Sequence, residues 1–173
     1  MEASDPSPTV AGVTAEDVER AAAVIGEEVR RTPVIPAGEL SRRLGAPVML
    51  KAECLQLTGS FKVRGAFNVM RSLPPAQLTR GVVAASAGNH AQAVALVAAR
   101  IDTRADLFMP ADAPLAKVAA VRGYGGEVHL VEGSFDEAAD RAREFAEREE
   151  RVVVQAFDDP RTIAGQGTVG LEL

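Results

Sequence analysis

At 173 residues, 47% hydrophobic and 25% charged, the chain has the length and balance of an ordinary globular unit, and neither a disordered nor a collagen-like composition. Nineteen basic against 24 acidic residues leave a formal charge of −5, which argues against a general nucleic-acid binder. A lone cysteine, Cys54, excludes an internal disulfide and a paired-cysteine zinc site. No apolar run approaches the length that spans a bilayer. Residues 1–13 carry acids and prolines where a signal peptide would be basic and then apolar, so a soluble, cytoplasmic protein with no membrane partner is expected.

Residues 1–13 read as a loose tail. Thr14 with Asp17 predicts a capping box, opening a helix whose stripe runs through Val18, Ala21, Ala22, Ile25 and Val29 and ends at Thr32-Pro33. A short helix over 40–44 and a strand over 48–52 follow. From Gly81 the pattern turns regular, with strands at 81–85, 105–109, 128–131 and 152–155. Helices alternate with them at 89–100, 114–124 and from Ser134, capped with Glu137, to about residue 150. Apolar strands alternating with helices predict an α/β fold with a parallel sheet covered on both faces. A glycine-rich helical segment over 162–173 closes the chain.

Two segments carry chemistry. In the first, residues 51–66, Ser60 predicts an N-cap that sets Lys62 in the first turn of a helix. The positive end of the helix and partial burial beside Phe61 would both lower the lysine pKa, and such an amine forms Schiff bases with carbonyls. The competing reading is a solvated helix lysine beside a core phenylalanine. In the second segment, residues 84–92, a strand gives way to a helix at Ser86-Ala87-Gly88-Asn89-His90. Backbone N–H groups at such a helix start can bind an anion, and Gly88 admits it closely. Alternatively Ser86 and Asn89 merely cap the helix and His90 is satisfied locally.

Together these segments resemble the serine/threonine dehydratase (threonine ammonia-lyase) family of the tryptophan-synthase-like, fold type II pyridoxal-phosphate enzymes. The resemblance extends over residues 32–173. Thr32-Pro33, Lys51-Ala52-Glu53, Met109-Pro110, Phe157-Asp158-Asp159-Pro160 and Gly165-Gln166-Gly167-Thr168 support it in order and spacing. It implies a three-layer parallel-sheet fold divided into the beginning of a large cofactor domain (14–80), a complete small domain (81–156) and the start of the large domain's second part (157–173). It further implies that Lys62 carries pyridoxal 5′-phosphate as a Schiff base, that Phe61 packs near the cofactor ring, and that Asn89 bonds the ring oxygen. Ser86, Ala87, Gly88, Asn89 and His90 would receive the carboxylate of a small amino-acid substrate. The implied reaction takes a β-hydroxy amino acid to a 2-oxo acid and ammonia.

Departures from the family pattern refine this expectation. Racemases of the group place a second serine where this chain has Ala87, which favours dehydration over the serine racemase alternative. The O-acetylserine sulfhydrylase branch does not fit Val63-Arg64 and His90. The glycine cluster that cups the cofactor phosphate in relatives has no counterpart here, so the chain reads as an N-terminal portion. It would then be a non-catalytic remnant, half of a split enzyme needing a C-terminal half, or a fragment of a homo-oligomer. No metal ligands are expected. Cys54 reads as a small buried filler, His129 as surface or satisfied, Asp158-Asp159-Pro160 as a turn or cap, and 141–151 as a solvated helix face. Ala93 and Asp102 replace glycines usual in relatives, at positions read as helix or loop surface.

Overall fold

A computed structural model describes residues 12–173; the expected tail lies outside the described residues except for its last two. The first helix, α1 (Ala15–Ile25), opens on the predicted capping box: Thr14 Oγ accepts from the Asp17 N–H at 3.2 Å, and the Asp17 carboxylate accepts from the Thr14 N–H at 2.8 Å. It does not continue to Val29. Gly26 adopts φ +52°, a left-handed angle that only glycine takes readily, and a single 3-10 turn (Gly26–Glu28) replaces the last predicted turn.

β1 (Val34–Pro36) and β2 (Met49–Lys51) form an antiparallel pair, Ile35 opposite Leu50, joined through α2 (Gly38–Leu44). β1 was not expected, because flanking prolines hide a strand that pairs on one side alone. α3 (Lys62–Arg71) and α4 (Pro75–Arg80) lead into the main sheet. There β3 (Val82–Ala85), α5 (Asn89–Arg100), β4 (Ala105–Pro110), α6 (Leu115–Gly123), β5 (Glu127–Val131), α7 (Phe135–Arg148) and β6 (Val152–Val153) alternate as predicted. The last helix is α8 (Pro160–Gly167), whose N-cap is Asp159.

The four strands are parallel in the order β5-β4-β3-β6. Alternate residues of β3 serve opposite faces, as period two requires: Val82 and Ala84 join the core beneath α3, α5 and α6, while Val83 packs under α7 with Phe108, Ala138, Ala142 and Ala146. The larger core is continuous from Ile25 and the buried face of α3 through to Val154. β6 is shorter than predicted. One more ladder bond forms, Val154 N–H to the Val83 carbonyl at 2.8 Å, and the carbonyls of Val154 and Ala156 beyond it are taken by side chains.

α8 returns to pack on α3, where Gly65 and Gly165 bring the two backbones together. A Cβ added at Gly165 would lie 2.8 Å from the Arg64 carbonyl oxygen and from the Gly65 Cα. Beside this crossing, Arg64 is 1% exposed and donates to both oxygens of Glu53, to Glu172 and Thr168, and to the Arg30 carbonyl. Lys51 donates to the other Glu172 oxygen at 2.5 Å.

Three surface expectations change. Cys54 is exposed, because the 3-10 turn Glu53–Leu55 turns it outward. Ala93 is buried within α5's packed face, where its smallness matters. Arg151 is not part of a solvated face: it pairs with buried Asp106, which also accepts from His129 at 2.7 Å. Asp102 does occupy a turn, at φ +54°, an angle natural to glycine.

Candidate active site

In the order β5-β4-β3-β6 the chain runs outward from β3 to β4 and β5, then returns to β3's other side as β6. The carboxyl ends of β3 and β6 therefore flank a switch point, the place where open parallel sheets leave a crevice for ligands. The loop 86–88 leaves β3 there, and the segment 154–159 leaves β6.

Lys62 reaches this point from α3. Ser60 has extended backbone angles and its Oγ accepts from the Lys62 N–H at 3.4 Å, while Phe61 already has helical angles. Lys62 stands in the first turn as predicted, but the N-cap of α3 is Phe61 and not Ser60, because the chain turns helical one residue after the serine. Its Nζ donates to the Ala156 carbonyl at 2.8 Å. The side chain is half-buried, and that burial lowers its pKa from the ordinary lysine value. The Phe61 ring lies 5.4 Å from Nζ and is 39% exposed. It is therefore an open platform beside the amine, not a core phenylalanine.

The second segment divides into outward and inward parts. Ser86 is buried and its Oγ accepts from the Gly88 N–H at 3.1 Å, so it shapes the loop and does not cap α5. Ala87 is exposed, and a Cβ at Gly88 would meet nothing within 4 Å. No side chain caps α5 among the described residues, which leaves its first N–H groups directed at open space. Asn89 is exposed, and its Oδ1 accepts from Lys117 Nζ at 2.7 Å.

His90 faces inward and is 3% exposed. Its Nε2–H donates to the Val154 carbonyl at 2.8 Å, and Nδ1 is buried without a partner among the described residues. Burial first, and then the positive charge of Lys62, push its pKa down to about 4, so the ring is neutral at physiological pH. Lys62 and His90 thus grip carbonyls two residues apart on the same segment. Lys117 and the Val154–Ala156 carbonyls escaped the sequence reading. Lys117 had a signal, since Pro114 as a helix start places it in the first turn of α6, whereas backbone acceptors carry none.

An open parallel sheet with a depressed lysine at its switch point defines an α/β protein built to act on a ligand at its strand ends. The pyridoxal-phosphate dependent enzyme family matches residues 25–173, and the chain belongs to that family, with the fold of its fold type II members. L-threonine ammonia-lyase of Geobacter sulfurreducens is 48% identical over 147 residues, which are 85% of this chain and 37% of that protein. Maize serine racemase superposes with a TM-score of 0.88 at 36% identity, covering 92% of this chain and 49% of that one. The processed form of threonine deaminase isoform 2 from Solanum lycopersicum does so with a TM-score of 0.82 at 40% identity, over 92% and 45%. The chain spans about half or less of the length of these relatives.

The family's cofactor fits one end of this site. An amine with a lowered pKa, an aromatic platform 5.4 Å away and an uncapped helix start suit a carbonyl, a flat ring and a carboxylate. The tightest group of glycines, Gly123, Gly125 and Gly126, lies between the end of α6 and β5 at the amino ends of the strands, so it does not serve the phosphate end.

Proposed function

We propose that this chain provides the lysine-bearing part of a pyridoxal-phosphate-dependent threonine/serine dehydratase, which takes a β-hydroxy amino acid to a 2-oxo acid and ammonia. The observation that carries this reading is the Lys62 amine, half-buried at the switch point, with its pKa lowered and its hydrogen bond made to a carbonyl. Pyridoxal phosphate, when bound, supplies an electron sink for the substrate's α-carbon. Lys62 would hold the cofactor through Nζ, with Phe61 against its ring and Asn89 donating to its ring oxygen. The N–H groups of Ala87, Asn89 and His90 would bind the substrate carboxylate, since those of Ser86 and Gly88 donate to the Phe108 carbonyl and to Ser86 Oγ; His90, its ring turned inward, would contribute its backbone alone. Freed Nζ would take the α-proton, and the burial that lowers its pKa favours the neutral base that this step needs.

Residues 81–156 would then form the mobile small domain, with 14–80 and 157–173 belonging to the larger one, in a cytoplasmic enzyme. Serine racemase is a second reading, favoured by the likeness to the maize protein. Ala87 weighs against it, since its side chain offers no proton-exchanging group on the loop.

The test is to add pyridoxal 5′-phosphate to the purified chain, trap with borohydride and map the modified residue by peptide mass spectrometry. Reduction on Lys62, lost in Lys62→Ala, is the expected result; equal labelling of Lys62→Ala would sink the assignment. Ammonia release from L-threonine and L-serine, with chiral analysis of the remaining amino acid, separates dehydratase from racemase. A folded chain that labels Lys62 only after the C-terminal half of the Geobacter enzyme is added would be half of a split enzyme. One that never labels would be a non-catalytic remnant.

A further inference from the structure

We propose that Lys117 is a positioning residue that acts through Asn89, fixing which edge of the Asn89 amide is offered to the cofactor. This rests on reading Asn89 as the donor to the cofactor's ring oxygen. An asparagine amide on an exposed helix start has a broad, roughly two-fold terminal torsion. It presents either its carbonyl or its NH2, and only the NH2 can donate to an oxygen. Asn89 does not cap its own helix, and its side chain has one hydrogen-bond partner among the described residues, Lys117 Nζ at 2.7 Å. An ammonium group has donors and no acceptor, so this contact is satisfied by Oδ1 alone. Oδ1 is thereby committed to Lys117, and Nδ2 with both hydrogens is left free.

The fold holds Lys117 in place for this task. It is the third residue of α6, and its N–H donates to the Pro114 carbonyl at 2.8 Å. Val118 and Val121 on the same helix are buried in the core that α5 shares. The choice of residue also points away from a generic surface cation. The chain has only three lysines, at 51, 62 and 117, and all its other cations are arginines. Lys51 is built into the Glu172 network and Lys62 into the switch point.

The test compares Lys117→Met, which keeps the stem and removes the donors, with Lys117→Arg, which keeps donors. The first measurement needs no cofactor: the mobility of the Asn89 side-chain amide in the isotope-labelled chain by NMR. An ordered amide in wild type and Lys117→Arg, becoming mobile in Lys117→Met with the backbone spectrum unchanged, is expected. An amide equally ordered in Lys117→Met overturns the proposal.

The second measurement titrates pyridoxal 5′-phosphate and follows the absorption of the Lys62 adduct. Lys117→Met should weaken binding by about five- to tenfold and move the absorption band, while having no further effect on an Asn89→Ala background. A loss that persists in full on that background also overturns it. If wild type forms no Lys62 adduct even with the C-terminal half of the Geobacter enzyme added, the functional reading fails, and the amide measurement alone decides whether Lys117 orients Asn89.

Discussion

At His90, folding removes the ability to hold a proton. Its ordinary pKa of 6.5 falls to about 4 once the ring is enclosed beside Lys62. Above about pH 6.5 the ring is neutral in both folded and unfolded chains. As pH falls from there towards 4, the unfolded chain takes up a proton that the folded chain refuses. Stability present at neutral pH is therefore lost across that window, by up to about 3 kcal/mol. Urea midpoints at neutral pH and at about pH 5 should diverge in wild type and converge in a His90→Gln variant. Equal acid sensitivity in both would show that His90 is not responsible. Residues acting through their immediate neighbours were legible in the sequence: both capping boxes and the Asp159 cap form as expected. Cys54 and Ala93 were misplaced, and the turn of the His90 ring was not foreseen. Exposure and side-chain direction depend on what distant segments lay over a residue, and no local pattern encodes that.

Among elements, the α3–α8 crossing depends most on a single missing atom. With a Cβ at Gly165 confronting backbone at 2.8 Å, neither helix can yield by turning a side chain. Gly165→Ala should therefore cost about 2 kcal/mol, read as a lower urea midpoint with an unchanged slope. A midpoint equal to wild type would mean that the helices separate freely. The β/α alternation was legible because period and turn residues repeat within each unit, and the all-parallel sheet followed from apolar strands. Helix α1 ended early because Gly26, inside an apolar stripe, was read by its neighbours' spacing and not by its own freedom to leave the helix. β1 lay hidden because its pairing partner, β2, is distant in sequence and both strands are three residues long. The candidate site was legible as two motifs. Their meeting with the β6–α8 segment was not, since that link runs through main-chain carbonyls.

Across the described residues, Arg64 ties together segments far apart in the chain. It joins the Arg30 carbonyl, Glu53 and Glu172 while almost wholly enclosed. Burial alone would raise the Glu172 pKa, yet the hydrogen bonds from Arg64 and Lys51 hold it below the usual carboxylate value. Arg64→Met would leave the Glu53 carboxylate without its cation and Glu172 with Lys51 alone in a poorly solvated place, at a cost of about 3–5 kcal/mol. Chemical denaturation should show it as a large loss of midpoint; a change smaller than that expected from the Gly165→Ala variant would contradict this account. Glu172 lies 121 residues from Lys51 and 108 from Arg64, and the Ala156 carbonyl that receives Lys62 lies 94 residues from it. Closing loops of that length is entropically slow and comes after local structure has formed. A chain leaving the ribosome therefore carries Lys62 through the synthesis of 94 further residues before the carbonyl that receives it exists. The clasp would close after the folding barrier, so loosening it at Arg64 should hasten unfolding while leaving the refolding rate nearly unchanged.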